Sequence, residues 1–332
     1  MPADKAREIV KSLGPSHSDP VSFLLGHRLV SATERKRLGK LKESSLEKVG
    51  PLGIQALTLE QFGPDLAAVP APPICLFARG DVECLKRTIV SIVGTRGAST
   101  YGKAVARKFA QELSRAGAIV ASGGALGIDA QAHEGALEVG GKTVVALACG
   151  VDVVQPPKHK QLFEQVVGSG CLVSPYAIGA PSLQHHFRTR NNLLAAMSAA
   201  VIVIEAPQAS GALMSSSAAA DLGRPVFVVP GPISDRSYVG SHELIRDGAT
   251  LVYHPDQVLE TLDLEASSPE PDLPQASGIQ ADILNLLGSQ SLSPEAIVEK
   301  LGLDSSEVMS ELTLMELEGM LIRDGQGYSL KP

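Results

Sequence analysis

Ala118-Ile-Val-Ala-Ser122-Gly123-Gly124-Ala-Leu-Gly127-Ile-Asp129 decides the fold. A short apolar run stops on a serine and a cluster of glycines, and a helical period begins at once over Ile128–Val139. A run that is apolar at every position is a strand covered on both faces, as in a parallel sheet packed between helices. The unit repeats outward. Thr88–Val93, Thr143–Ala148, Cys171–Ser174, Val201–Glu205 and Val226–Val229 read as strands of the same kind, with Ala118–Ser122 among them. Gly102–Arg115 and His159–Val167 read as amphipathic helices between them. This alternation predicts an α/β fold built on a doubly wound parallel sheet with right-handed crossovers. Ligands in such sheets bind at the carboxyl ends of the strands.

The flanks differ from the centre. Up to about residue 65 the chain reads as short helices, Ser22–Val30, Ala32–Leu41 and Leu59–Gln61, with too few apolar residues for a large core. Ala68–Pro73 is a proline-rich connection, and Ala266–Ser277 is a linker of Pro, Ser and acid. Helical stretches follow at Gln280–Leu287, Pro294–Leu301 and Ser305–Met320, and Leu321–Leu330 carries a Gly-Gln-Gly turn. Three helices and a hairpin predict a winged helix-turn-helix. The expected domains are therefore 1–67, a core at 68–265, a linker at 266–278 and a winged-helix domain at 279–332.

The chain has 332 residues, 44% of them hydrophobic and 20% charged, which suits folded domains. No apolar run reaches the roughly 18 residues of a membrane helix. The N-terminus MPADKAREIVKSLG lacks the apolar stretch of a signal peptide, so a cytoplasmic location is expected. Cys75, Cys84, Cys149 and Cys171 are scattered and form no CxxC pair, so structural zinc and disulfides are not expected. The net charge of −7 speaks against a nucleic-acid partner until it is divided along the chain. Residues 86–255 hold 15 basic and 11 acidic side chains, whereas residues 256–332 hold 3 and 15. The acidity belongs to the C-terminal quarter, and the centre is free to bind an anion.

Candidate sites fall at strand ends. Gly94-Thr95-Arg96 offers a tight turn, backbone N–H groups and a guanidinium to a phosphate. Gly97–Lys103, with Ser99 inside it, matches the phosphate-loop pattern G-x4-G-K, and Val201–Glu205 resembles the acid-ended strand that completes such ATPases. Ala104 stands where the magnesium-binding hydroxyl belongs, so ATP hydrolysis is not expected. Ser122-Gly123-Gly124 through Gly127 allows close backbone approach to an anion at a helix N-terminus. Asp129 is either a capping carboxylate or part of the site, and it could share a hydrogen bond with His133 one turn on. His185-His186 has no third ligand nearby, so no metal site is expected. In Phe187-Arg188-Thr189-Arg190-Asn191 an aromatic face can stack a base while guanidinium groups hold the flanking phosphates. Ser210-Gly211 suits a helix cap with free amides behind it, another anion site or a plain cap. No catalytic constellation and no cofactor fingerprint stands out.

The centre resembles the DNA processing protein A (DprA/Smf) family. The resemblance rests on Ile92–Arg96 (IVGTR), Ser122–His133 (SGGALGIDAQAH), Ala146–Pro157 (ALACGVDVVQPP), Phe187–Ser198 (FRTRNNLLAAMS), Val201–Ala206 (VIVIEA), Ser210–Ser215 (SGALMS) and Val229–Pro232 (VPGP). It implies a Rossmann-like core, a small N-terminal helical domain of the SAM or helix-hairpin-helix kind and a winged C-terminal domain. It further implies a homodimer that binds single-stranded DNA, protects incoming strands and loads the RecA recombinase in natural transformation or repair, without turnover chemistry. Gly94 and Arg96 would contact phosphate, Ser122 and Gly123 would belong to the pocket, and Phe187 would stack a base beside Arg190 and Asn191. With Thr95, Ser99, Gly127, Asp129, Arg188, Ser210 and Gly211 these make up the expected DNA-contacting set. The chain departs from the family pattern at Leu126, Gln155, Pro175 and Asn192, which implies altered DNA contacts on the same fold.

Two other readings stand beside this one. A nucleotide-processing enzyme of the phosphoribohydrolase type would share the fold, but SGGALGID lacks the Thr and Glu of the PGGxGTxxE motif. A transcriptional regulator would act through the winged domain. Its expected recognition helix, Asp304–Gly319, carries Asp304, Glu307, Glu311, Glu316 and Glu318 and no basic residue. Such a helix would be repelled by a major groove, so the domain is expected to bind protein, or the basic core, and not DNA.

Overall fold

The computed structural model describes residues 52–57, 75–265, 278–287, 291–317, 320–324 and 327–330, together with residues 28, 31, 32, 35, 69 and 73. The helices expected at 22–41 and 59–61 and the linker at 266–277 lie outside these residues, apart from the isolated positions. The chain divides into two units, Met1–Ser267 and Ser268–Pro332.

The first unit is a sheet of nine strands among the described residues. In chain order they are β1 (Ile54–Leu57), β2 (Leu76–Gly80), β3 (Ile89–Val93), β4 (Ile119–Ser122), β5 (Thr143–Ala146), β6 (Cys171–Ser174), β7 (Ala200–Val203), β8 (Val226–Val228) and β9 (Thr250–Leu251). Their order across the sheet is β1-β2-β6-β5-β4-β3-β7-β8-β9. From β6 to β9 every neighbour is parallel, and β1 and β2 add an antiparallel edge. Residues 54–57, expected within a helical domain ending at 67, are therefore part of the core sheet.

Among the described residues six α-helices lie between β3 and β9, α1 (Thr100–Arg115), α2 (Ile128–Glu138), α3 (Lys160–Ser169), α4 (His186–Met197), α5 (Gly211–Asp221) and α6 (Val239–Arg246), and α7 (Asp256–Thr261) follows β9. Alternation along β3 shows how they are layered. Ile89 and Val93 pack with Leu194 of α4 and Ala212 of α5, whereas Val90 and Ile92 pack with Phe109 of α1 and Ala132 of α2. Every residue of β3, β4, β5, β6 and β7 is buried, the two-sided burial that their unbroken apolar sequence requires. Ser91 is the polar exception in β3, and its hydroxyl pairs with that of Ser198 at 2.5 Å. Cys84, Cys149 and Cys171 are buried free thiols, as expected of core cysteines, and Cys75 is half-buried.

The order of strands has a direct consequence for ligand binding. The chain leaves β3 in one direction, toward β4, β5 and β6, and returns on its other side as β7, β8 and β9. The crevice at the carboxyl ends of β3 and β7 lies at this reversal, where open parallel sheets hold their ligands.

The second unit packs α8 (Ile279–Leu287), α9 (Pro294–Leu301) and α10 (Ser305–Leu317) over the hairpin β10–β11 (Leu321–Asp324 and Gly327–Leu330). Ile283, Ile297, Val308, Leu312 and Tyr328 form its core. Asp304, Glu307 and Glu316 are exposed, while Glu311 accepts a hydrogen bond from Gln280 at 2.7 Å. Among the described residues no helix is long and apolar enough to cross a membrane.

Candidate nucleic-acid interface

A cleft of about 520 Å³ opens at the switch point between β3 and β7. Its floor comes from the two strand ends predicted from sequence. Gly94, Thr95 and Arg96 follow β3, and Gly123 follows β4. Thr95 N–H donates to the Glu205 carbonyl at 2.8 Å, and Ile128 N–H donates to the Thr95 carbonyl at 3.2 Å. These bonds hold the β3 and β7 ends against the start of α2.

The walls come from α4 and the turn before α5. Phe187, Arg190, Asn191 and Leu194 recur at helical spacing and so face the cleft together. Arg188, Thr189 and Asn192 lie on the next face of α4, along a separate groove beside α5. Arg188 is therefore parted from the cleft, although the expected DNA-contacting set includes it. Across from α4, Ser210 caps α5 by accepting from Ala212 N–H at 3.3 Å, and Asn191 Nδ2 donates to the Gly211 carbonyl at 3.2 Å. The residue between them and β7, Ala209, has φ +60 and lines the cleft. A left-handed alanine at a cleft wall is stored strain, and nothing in Pro207-Gln-Ala-Ser210 announces it.

Arg190 is the centre of the site. It is 6% exposed, and its Nη1 donates to the Ala146 carbonyl at 3.2 Å. Burial lowers its pKa, and the neighbouring Asp129 carboxylate opposes that shift. Burial likewise raises the Asp129 pKa, and Arg190 is the first influence against it. Asp129 also accepts from Ala125 N–H at 3.2 Å, so it ties the glycine loop to α2. A side chain at Gly123 would overlap Arg190 Nη1, so the guanidinium holds its present position only against a glycine. Arg96 and Arg190 both approach the Phe187 ring, with Cζ 5.2 Å and 5.7 Å from its centroid. Two cations against one ring, one exposed and one buried, give a surface for a base beside its phosphate.

Other expected residues lie outside the cleft. Ser122 is fully buried, and its hydroxyl donates to the Ile92 carbonyl at 2.6 Å. Gly127 has φ +82, and a Cβ there would overlap the Thr95 carbonyl oxygen and stand 2.6 Å from that of Arg96. It shapes the Gly94–Arg96 turn from beneath. Ser99 caps α1, where its N–H and hydroxyl both donate to the Glu205 carboxylate, the latter at 2.6 Å. Glu205, the apparent ATPase acid, is 1% exposed and also accepts from Tyr238 at 3.3 Å. Lys103 is exposed on α1. The G-x4-G-K stretch is thus a helix cap.

The histidines also resolve. His133 pairs through Nδ1 with Thr143 Oγ1 at 2.7 Å, not with Asp129. Burial, with His159 next in effect, pushes it down to about 3, so it stays neutral. His186 is buried and stacks on Tyr176 with centroids 3.7 Å apart. Among the described residues no cluster of His, Cys, Asp and Glu could hold a metal ion.

The fold defines a Rossmann-like α/β protein with a cleft at its switch point and a separate winged-helix unit. A family profile described as DNA recombination-mediator protein A matches residues 55–263, and one described as the DprA winged helix domain matches 265–327. The chain belongs to the DNA recombination-mediator protein A family. Protein Smf of Escherichia coli K12 is 32% identical over 279 residues, covering 81% of this chain and 75% of that protein. DNA processing protein DprA of Streptococcus pneumoniae is 37% identical over 195 residues, covering 59% of this chain and 69% of that one. The X-ray structure of the Streptococcus pneumoniae protein superposes with TM-score 0.62 at 30% identity, covering 78% and 87% of the two chains. DNA processing protein A of Helicobacter pylori, described for its single-stranded DNA binding mode, superposes with TM-score 0.59 at 29% identity, covering 64% and 97%. A DNA-processing, recombination-mediator role follows from membership.

Proposed function

We propose that this protein binds single-stranded DNA along the switch-point cleft, protects incoming strands and loads a RecA-type recombinase during natural transformation or repair. The observation that carries the DNA-binding reading is the Phe187 ring set against the Arg96 and Arg190 guanidiniums over the glycine loop. A mononucleotide site needs the phosphate donors but not an open aromatic platform, and a strand uses both. Recombinase loading rests on family membership, as does assembly into a homodimer. The role is one of binding and not turnover. Asp129, the cleft's carboxylate, accepts from the Ala125 N–H at 3.2 Å and so braces the glycine loop. The acidic exposed face of α10 supports a protein partner for the winged unit instead of duplex DNA.

The test is a salt titration of oligo-dT binding to the wild type beside Arg96→Ala and Phe187→Ala. Affinity should fall steeply with salt, and both variants should bind more weakly. Binding indifferent to salt, or a preference for duplex, would remove this reading.

A further inference from the structure

Two thiols meet away from the cleft. Cys84 Sγ and Cys171 Sγ lie 3.7 Å apart, although 87 residues separate them along the chain. Cys171 opens β6 at its amino end, whereas the cleft lies at the carboxyl ends of the parallel strands. We propose that Cys84 and Cys171 form a modification site, a dithiol that a hydroperoxide oxidises to a disulfide, and that this bond clamps the β2 edge to the sheet.

The backbone brings the two sulfurs together. Cys171 of β6 stands opposite Gly80 of β2 in the antiparallel register. Asp81 N–H donates to the Gly170 carbonyl at 2.7 Å, and the Asp81 side chain caps the short 3-10 helix Val82–Lys86 that carries Cys84. Lys142 Nζ donates to Asp81 at 2.5 Å and fastens the same corner. The sulfurs have to close by about 1.7 Å to reach the roughly 2.05 Å of a disulfide, which side-chain rotation and a small shift of the short helix supply. Cys84 is 1% exposed, yet Glu83, Lys86 and Arg87 beside it face solvent, so local opening of this helix admits an oxidant.

The two sulfurs are not equivalent. The hydrogen bond with Cys171 lowers the Cys84 pKa against the burial that raises it, and the Lys142 and Arg87 cations add to the lowering with Asp81 opposing them. The same hydrogen bond, followed by burial, raises the Cys171 pKa. Cys84 is therefore the attacking sulfur and Cys171 the resolving one. Cys149 differs, because its thiol donates to the Val153 carbonyl at 3.4 Å and burial pushes it up to about 11. In the first step the Cys84 sulfur gives an electron pair to one oxygen of hydrogen peroxide. The O–O bond breaks, and the other oxygen leaves as water with the thiol proton. The Cys171 sulfur then attacks the Cys84 sulfenic acid, the S–S bond forms, the S–O bond breaks, and hydroxide leaves as water with the Cys171 proton. The two thiols lose two electrons and the peroxide becomes two waters.

The test exposes the full chain to hydrogen peroxide, alkylates the remaining thiols and maps the peptides by mass spectrometry. The peptides of Cys84 and Cys171 should be joined, dithiothreitol should separate them, and Cys149→Ala should leave the crosslink intact. Cys171→Ala should instead end with Cys84 as sulfinic or sulfonic acid, for want of a resolving thiol. The oxidised wild type should melt roughly 5–10 °C above the reduced protein, since the bond closes a long loop of the chain. Alkylation of both cysteines in the treated wild type overturns the proposal, as does irreversible oxidation of Cys84 beside a free Cys171. A crosslink that leaves the melting temperature unchanged overturns the clamp.

Discussion

Gly97 and Gly127 each sit in a loop that leaves a strand and enters a helix, and their surroundings separate them. Gly97 opens the apparent phosphate loop, yet it is exposed and no atom lies within 4 Å of where a side chain would begin. Gly127 has φ +82 and rests on the Thr95 and Arg96 carbonyls. The loop that matches a known motif has no steric need for its first glycine. The loop that matches no dinucleotide fingerprint is built around one. Pattern spacing alone is a poor guide to which glycines a site requires, because the requirement lies in what approaches from elsewhere in the chain.

The largest effect that sharpens this contrast is on stability. Gly127→Ala should cost about 3 kcal/mol through forced backbone and overlap, and Gly97→Ala no more than about 0.5 kcal/mol. Urea unfolding would show the first as a lowered midpoint with unchanged slope, and similar shifts for both would erase the distinction. On the binding side, Arg96→Ala should weaken oligo-dT by about thirtyfold, the effect of losing a hydrogen bond from a charged group, and flatten the salt slope by about 0.7. Lys103→Ala, in the apparent phosphate loop, should change affinity by less than about twofold at moderate salt. If Lys103 mattered as much as Arg96, the G-x4-G-K stretch would be a phosphate site after all. Phe187→Ala should cost about tenfold through lost stacking with the salt slope unchanged, which separates the ring from the charges around it.

A second contrast lies between the two units. Residues 86–255 carry an excess of four positive charges, and residues 256–332 an excess of twelve negative ones. Removing residues 267–332 should leave oligo-dT affinity unchanged or slightly higher. A large loss would show that the winged unit touches DNA despite the acidic face of α10.

Much of the fold was legible because buried parallel strands leave an unmistakable trace. Cys171–Ser174 is read to the residue, and the other five strands of the centre to within one or two. β1, β2 and β9 were not read. They lie at the sheet edges, are two to five residues long and mix polar with apolar positions, so no period emerges. The helix α4 was read as a motif but not as a helix, and its faces were therefore missed. That is why Arg188 and Arg190, two residues apart, were expected at one site, although the helical turn sends them to different grooves.

By itself the sequence determined the sheet, its winding and the strand ends at which an anion could bind, because these depend on local runs of burial and on glycine at chain reversals. It also determined the winged unit and its acidity. Only the tertiary structure decided which of those groups share a cleft. It tied Asp129 to the glycine loop, spent Ser99 and Glu205 on a helix cap, and set Phe187 between the main cleft and a smaller adjoining cavity. Those choices depend on contacts between segments tens of residues apart, and no local pattern carries them.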